Sequence, residues 1–271
     1  MDGRAKNPDY GIDAPKVVRN LAVSGGALLL VGVLTLLGIL PREIVIPHAA
    51  TIGLLGMWLG AGGGLTAAAC WMLWGSKVGK VRERERLLDK IAWRGDERVL
   101  DVGCGRGLVL VGAARRLKTG TAVGIDLWQG EDLSGNRPEV PMENAALEGV
   151  APRVSVQTAD MRKLPFPDAA FDVIVSRAAI HNLYSDSDRA AAIGEIARVL
   201  GPNGRALISD IRHLGEYARA FGDRGIHDVR LLDSKAVSML TAIVTFGSLH
   251  PNTLIATKGA SPRPSLTEAP R

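Results

Sequence analysis

Three glycines at alternate positions, Gly103, Gly105 and Gly107, directly follow the run Arg98-Val99-Leu100-Asp101-Val102. That run is short, apolar and partly β-branched, the composition of a buried strand, and it contains an acid near its end. Leu108 to Leu117 then reads as a helix. Strand, glycine turn and helix make the nucleotide-cradling opening of a doubly wound α/β domain. Glycine has no Cβ, so the backbone turns sharply here and a ligand lies directly against it. A dinucleotide fingerprint requires G-x-G-x-x-G/A, and its last position is occupied here by Leu108. The observed order, D-x-G-x-G-x-G, is a different cradle.

From Asp96 onward strand and helix patterns alternate, which predicts a mostly parallel sheet covered on both faces. Thr121 to Ile125 is the second strand, and Asp126 at its tip is placed to accept both hydroxyls of a ribose; the plainer reading is an aspartate that caps the turn. Leu127 to Met142 is an irregular insert whose Trp128 and Asn136 would form part of a lid or substrate wall. Glu143 to Leu147 reads as helix, Val154 to Thr158 as the third strand and Phe171 to Ser176 as the fourth. His181 follows at the carboxyl edge of the sheet, where it would take a proton from an O–H, N–H or S–H nucleophile, or simply hydrogen-bond its loop. Tyr184 would line the same pocket. Asp188 to Leu200 is an amphipathic helix with Ala191, Ile193, Ile196, Ala197 and Leu200 inward and Arg189, Glu195 and Arg198 outward. Gly201-Pro202-Asn203-Gly204 reads as its stop, and Arg205 to Ile211 as the fifth strand. Asp210 and His213 end that strand as second-choice site residues, with loop capping the simpler role. Glu216 to Phe221 predicts a helix, and Ile226 to Leu231, Leu240 to Phe246 and Thr253 to Thr257 predict strands.

These motifs, in this order, resemble the class I S-adenosylmethionine (SAM)-dependent methyltransferases. The likeness rests on D-x-G-x-G-x-G at Asp101 to Gly107, on Asp126, and on Ala159-Asp160-Met161. It continues through Leu164-Pro165-Phe166-Pro167-Asp168 with Phe171-Asp172-Val173, and through Gly204 to Ile211. It covers about Arg86 to Lys258 and is closest to the broad group that includes the ubiquinone- and menaquinone-biosynthesis methyltransferases. The resemblance implies a Rossmann-like, seven-stranded, mostly parallel sheet ending in an antiparallel pair, with SAM as cofactor. It implies that Asp101, Gly103, Cys104, Gly105 and Gly107 hold the methionine part, that Asp126 holds the ribose with Leu127 beside the adenine, and that Asp160 meets the adenine amino group next to Met161. It places the strand tip at Ser176 beside the sulfonium and makes Asp172 structural. It implies direct displacement at the methyl carbon, with His181 as base or orienting group for the acceptor.

The first eighty residues carry a different signal. After a polar lead-in over residues 1–20, no charged residue occurs from Leu21 to Leu40, about 30 Å of helix. A second uncharged run extends from Ala49 to Trp74, and the short link Pro41 to His48 makes the pair a transmembrane helical hairpin. The alternative is two buried helices of a soluble protein. A cleaved signal peptide is disfavoured, because Gly38-Ile39-Leu40-Pro41-Arg42 offers no small-x-small site. Gly56, Gly60 and Gly64 recur at every fourth position, with Ala68 continuing the row, so the first helix or a second copy of this chain would approach closely there as a homodimer. Trp71 and Trp74 would meet the interface. Lys77, Lys80, Arg82, Arg84 and Arg86 follow the second span, Arg4, Lys6, Lys16 and Arg19 precede the first, and only Arg42 lies between. The positive-inside rule predicts an integral membrane protein with both termini and the catalytic domain in the cytoplasm. Residues 76–95 form a basic linker whose helix rests on anionic headgroups or is simply exposed, and the catalytic domain occupies 96–258. The tail 259–271, rich in Pro, Ser and Ala, is expected to be disordered.

Composition narrows the partners. The net charge of +5 is concentrated around the spans, and the catalytic half has no dense basic patch with interleaved aromatics, so nucleic acid is not expected. Two cysteines, one in an apolar run and one in the glycine turn, make no disulfide framework, and no Cys/His cluster has zinc spacing, so no metal is expected. The reading is a membrane-anchored SAM-dependent methyltransferase acting on a small, lipophilic or membrane-permeant acceptor: a thiol, an amine, a quinone-like ring or a lipid. Three alternatives stay open: a catalytically silent SAM-binding membrane scaffold, a dinucleotide-dependent oxidoreductase, and a lipid-binding anchor with an incidental α/β domain.

Overall fold

A computed structural model describes residues 7–46, 50–129, 133–232 and 252–260, and divides the chain into two units. The N-terminal unit is Asp9–Glu83 with Gln129–Asn136. Its first helix, α1 (Pro15–Leu36), starts on a proline, whose missing N–H costs nothing in the first turn. It begins before Leu21 and ends at Leu36, short of Leu40 where the expected span closed. The link is an antiparallel ribbon, β1 (Glu43–Ile46) with β2 (Ala50–Gly53), in which Ile44 faces Ile52. β-Branched residues draw the start of the second apolar run into strand, so helix α2 covers Leu54–Trp74 rather than beginning at Ala49.

Helices α1 and α2 pack where glycines let their backbones meet. A Cβ on Gly62 would fall 2.8 Å from the Leu29 nitrogen, one on Gly25 2.5 Å from Thr66 Oγ1, and one on Gly32 2.6 Å from Leu59 Cδ2. Gly56, Gly60 and Gly64 are on another face, where an added Cβ meets nothing within 4 Å. The expected stripe is thus not the seam between the two helices. By length and composition both helices, the second running on to Leu88, are sufficient to cross a membrane, and only 17% of each one's apolar window is buried.

One π-helical turn, Gly75–Gly79, leads from α2 into α3 (Lys80–Leu88). Lys80 does not face outward as the basic-face reading requires. It is buried, donating to the Tyr10 carbonyl at 2.7 Å and pairing with Asp13 at 3.1 Å. The Asp13 N–H donates to Ser76 Oγ, and the Ile12 N–H donates to Ser134 Oγ at 2.9 Å, with a bridge from Asp13 to Leu133. The lead-in from residue 9 is therefore ordered, and the described end of the insert pairs with it.

The second unit takes in Arg84–Trp128 and the chain from Arg137. Arg84 is buried in it, donating to Glu148 at 2.9 Å and to Glu85 at 2.7 Å. Strand β3 (Arg98–Val102) leads through the glycine turn to α4 (Leu108–Ala114), and β4 (Thr121–Asp126) is followed by α5 (Glu139–Leu147) and β5 (Val154–Thr158). Next come β6 (Phe171–Arg177), α6 (Asp186–Val199), β7 (Leu200–Asp210), α7 (Leu214–Gly222), β8 (Asp228–Leu231) and β9 (Asn252–Thr257). The seven strands lie in the order β5-β4-β3-β6-β7-β9-β8; the first five are parallel, and β9 inserts antiparallel to both β7 and β8. The predicted strand Leu240 to Phe246 lies outside the described residues, as do residues 261–271 of the predicted tail.

Alternate residues of the central strands feed two cores, as the period of two requires. Leu100, Val102, Ile174 and Ile208 join α6 and α7 on one face, while Val99, Val173, Val175 and Leu207 join α4 and α3 on the other. Two local expectations change. Gly201 to Gly204 is not a turn outside the sheet: β7 starts at Leu200, and a bulge absorbs the extra residues, with Asn203 at φ 60°. Arg189 is not on the outer face of α6 but is 4% exposed.

Candidate active site

The glycine turn stands at the carboxyl end of β3. Gly103, Gly105 and Gly107 have φ of +74°, +50° and +81°, conformations an L-side chain resists. A Cβ on Gly103 would also fall 2.3 Å from the Ala179 Cβ beyond β6. The Gly103 and Cys104 N–H groups both donate to the Ile125 carbonyl at 2.9 Å, which locks the turn to β4.

Asp126 completes that lock. Its Oδ2 accepts from the Gly105 N–H at 2.8 Å and its Oδ1 from the Trp128 N–H at 2.6 Å. The turn-capping role is therefore present. Trp128, in the left-handed region at φ 60°, also donates its indole N–H to Thr158 Oγ1 at 2.7 Å, tying the tip of β4 to that of β5. Leu127 beside it is half exposed.

Asp101 is 1% exposed, and its Oδ2 has no hydrogen-bond partner. Burial pushes its carboxyl up to about 8, against a Leu110 backbone N–H that favours the charge and with Asp126 nearby that opposes it. Cys104 turns its thiol into the core against Gly124, where an added Cβ would meet Sγ at 2.7 Å, so only its backbone belongs to the cradle. Burial, then the two aspartates, holds that thiol protonated. Met161 lies beside the turn, with its Cε 3.6 Å from the position a Gly103 Cβ would take. Asp160 is engaged by Arg162 at 2.6 Å, and that hydrogen bond holds its carboxyl below the ordinary range. Ser176 donates its hydroxyl to the Val102 carbonyl at 2.8 Å, which fastens the tip of β6 to that of β3.

The acceptor side grows from the next turn. Ala178 has φ 51° and donates its N–H to the Ser209 carbonyl, bending the chain sharply off β6. The short helical turn Ile180–Asn182 then presents His181 to Asp210 at the end of β7. His181 Nδ1 lies 2.5 Å from Asp210 Oδ1, and the His181 N–H donates to Oδ2 at 3.1 Å. A carboxylate only accepts, so Nδ1 is the donor, and in the neutral ring Nε2 is then the acceptor. Tyr217 O–H donates to the same Oδ2 at 3.1 Å, and the Ile211 N–H donates to Oδ1 at 2.8 Å. Burial, and then the Asp210 charge, raises the Tyr217 phenol, which keeps it a donor.

Asp210 was thus a stronger site residue than its sequence position indicated, and Tyr217 carried no sequence signal beyond an aromatic in a helix. Tyr184 is corrected: its side chain is 99% exposed, turned to solvent rather than into a pocket wall. Its carbonyl is used by the buried Arg189, which also takes the Leu183 carbonyl, Asp186 and Glu216 and so braces the loop after His181. His213 Nδ1 meets Glu216 at 2.9 Å, the loop-capping role. Asp172 accepts from the Arg98 N–H at the opposite edge of the sheet and is structural. Among the described residues there is no group of three or more His, Cys, Asp or Glu able to hold a metal.

Comparison with known proteins identifies what uses this geometry. Residues 100–208, from β3 into β7, match the family model described as "Methyltransferase domain". Those residues form a SAM-dependent methyltransferase domain. Its closely matched curated relatives include the methyltransferase GfsG of Streptomyces halstedii, 38% identical over 130 residues, 48% of this chain and 43% of the relative. The ubiquinone/menaquinone biosynthesis C-methyltransferase UbiE of Geobacter sulfurreducens is 34% identical over 128 residues, 47% of this chain and 46% of its own. The chain spans less than half the length of these two relatives. Among solved structures, the YcgJ protein of Bacillus subtilis superposes with a TM-score of 0.51 at 20% identity, over 66% of this chain and all of that one, a likeness of fold. The cofactor is S-adenosylmethionine, and the cradle fits it: a side-chain-free turn for close approach and a buried carboxylate oxygen without a partner for a cationic ligand.

Proposed function

We propose that the chain is a membrane-anchored methyltransferase that transfers the methyl group of SAM to a small, lipophilic or membrane-permeant acceptor. The observation that carries the acceptor chemistry is the 2.5 Å hydrogen bond from His181 Nδ1 to Asp210. The sulfonium of SAM supplies an electrophilic methyl carbon, so the protein's work is alignment and proton removal. In this reading the turn from Gly103 to Gly107, with Asp101, holds the methionine part. Asp126 holds the ribose, with Leu127 beside the adenine. Asp160, once its Arg162 partner yields, and Met161 meet the adenine edge. Ser176 fixes the strand tip beside the reacting centre. Nε2 of His181 takes the proton of a neutral nucleophile, while Asp210 fixes its tautomer and stabilises the imidazolium. An acceptor already ionised, such as a thiolate, needs His181 only for orientation.

The apolar, mostly exposed faces of α1 and α2 support the anchor, and the loading of basic residues outside the two spans supports an orientation with both termini and the catalytic domain in the cytoplasm. Anchoring raises the local concentration of acceptors that dissolve in the bilayer. The UbiE relative, a ubiquinone/menaquinone biosynthesis enzyme by name, agrees with a lipophilic acceptor. The open face at Gly56, Gly60 and Gly64 is where a second copy would pack. Nucleic acid has no place in this reading.

The test is methyl transfer from labelled SAM by the detergent-purified full chain to panels of lipid, quinone, thiol and amine acceptors. Transfer to one class, lost in His181→Ala with SAM affinity intact, supports the reading. SAM binding with no transfer to any class would leave a silent scaffold.

A further inference from the structure

The insert after β4 does not group with the strands that flank it in sequence. Gln129–Asn136 falls in the unit of the apolar helices, whereas Trp128 before it and Arg137 after it fall in the catalytic unit. Within the helical unit, the lead-in holds the described part of the insert. The Ile12 N–H donates to Ser134 Oγ at 2.9 Å, the Ser134 N–H donates back to the Ile12 carbonyl at 3.4 Å, and Asp13 bridges Leu133 in antiparallel register. The lead-in is also fastened to the junction of α2 and α3. Ser76, in the π-helical turn, accepts the Asp13 N–H, and Lys80, 3% exposed, donates to the Tyr10 carbonyl and to Asp13. A buried ammonium needs such partners, and these lie 70 and 67 positions away in the chain. Residues 10–13 are thus a strap, bonded to the end of the helix pair and to the insert, and α1 opens at Pro15 directly beyond it.

Both stems of the insert lead into the cofactor cradle. Asn136 Nδ2 donates to the Gln129 carbonyl at 3.3 Å, which closes the base of the loop. On one side, Trp128 caps Asp126 with its N–H and ties itself to Thr158. On the other, the chain passes through Arg137 into α5. There Asn144 is buried and donates to the Arg106 carbonyl at 2.9 Å, and Pro141 lies 2.8 Å from where a Gly107 Cβ would fall. Asp126 therefore braces the glycine turn at Gly105, and α5 braces it at Arg106 and Gly107.

We propose that Lys80 and Ser134 are positioning residues for the cofactor: through the strap they hold the insert, and along the chain its two stems, in the arrangement that receives SAM. This rests on the SAM reading and goes beyond it, because it makes cofactor affinity depend on the N-terminal helix pair. A loop tied at Ser134 and closed at its base has little freedom left to lose when ligand binds. Released, it spreads over arrangements in which Trp128 and α5 no longer frame the turn, and apparent affinity falls with the fraction of molecules still competent. Donor and demethylated product share the adenosine and the amino acid, so both weaken by the same factor.

The experiment is calorimetric titration of the detergent-purified full chain with SAM and with S-adenosylhomocysteine, beside hydrogen exchange of the free chain. Ser134→Ala and Lys80→Met should each weaken both ligands by one common factor, roughly three- to tenfold, the net worth of a hydrogen bond. Exchange should quicken in α5 and stay unchanged in β6, a local signature that general destabilisation does not give. Ser134→Thr, which keeps the acceptor oxygen, should bind as the wild type does, and so should Arg82→Ala on the exposed side of α3. Unchanged affinity in Ser134→Ala, loss for one ligand alone, or equal weakening by Arg82→Ala overturns the proposal and leaves the SAM reading standing. Failure of the folded wild-type chain to bind either ligand overturns both. If Lys80→Met does not fold, Ser134→Ala still decides, because it removes one hydroxyl from a partly exposed loop.

Discussion

His181 and Asp210 meet across the carboxyl edges of β6 and β7, Nδ1 to Oδ1 at 2.5 Å, although 29 residues separate them in the chain. Four donors converge on Asp210: the ring and backbone N–H of His181, the Tyr217 hydroxyl and the Ile211 N–H. The carboxylate is therefore oriented before any substrate arrives, and the histidine with it.

His181→Ala should lower kcat on a neutral acceptor by roughly 10²–10⁴-fold, the usual worth of a general base, with the Kd for SAM unchanged. Asp210→Asn should lower kcat in the same direction, because an amide no longer enforces the Nδ1–H tautomer. Single-turnover transfer beside SAM titration separates the two effects. A parallel loss of SAM affinity would make the pair part of the cofactor cradle instead.

Gly103→Ala places a methyl group 2.3 Å from the Ala179 Cβ at a backbone φ of +74°. The strain alone costs about 1–3 kcal/mol, so a lower unfolding temperature and loss of SAM binding are expected together. Retained affinity in a folded variant would mean that the turn relaxes away from β6.

Between α1 and α2, Gly62→Leu should destabilise the helix pair by about 1–3 kcal/mol, since its Cβ would already crowd the Leu29 nitrogen at 2.8 Å. Gly60→Leu should leave the pair intact, because its Cβ enters open space. Thermal unfolding of both variants in the same detergent reads the difference, and equal destabilisation would contradict this helix seam.

Two acids shift stability with pH in opposite senses. Arg198 donates to Glu195, and with the Leu164 N–H it holds that carboxyl below its ordinary 4.5. A depressed acid stabilises the fold above its unfolded pKa, and that contribution is lost as pH falls through the folded value. Glu195→Gln should therefore flatten the acid limb of the stability curve. Asp101, raised from 3.8 to about 8, contributes most at low pH and progressively less as pH climbs between those values. Asp101→Asn should accordingly unfold at a higher temperature than the wild type above about pH 8, by relieving a buried charge, while binding SAM less well.

Much of the catalytic unit was legible along the chain. The positive φ angles of the glycine turn need residues without a Cβ, and the doubly buried strands need continuous apolar runs. Both demands are met by neighbouring residues, so both appear as local pattern. Helix α6 illustrates the limit. Its apolar stripe was readable, but Arg189 took an inward position because four partners from three segments wait for it there. A periodicity argument assigns charge to solvent and has no access to such partners.

The sequence by itself determined the sheet's alternation, the glycine turn after β3, the acids at the tips of β3 and β4, and two apolar runs long enough to span a bilayer. Each follows from φ limits, side-chain period or run length, which are properties of contiguous residues. Tertiary structure decided which acid serves His181, which of the two aspartates is left unmatched, which glycines form the α1–α2 seam, and that Tyr184 faces solvent. Those outcomes depend on register and packing between segments far apart in the chain. There a buried polar atom is satisfied, or left for a ligand, only once every neighbouring strand is in place.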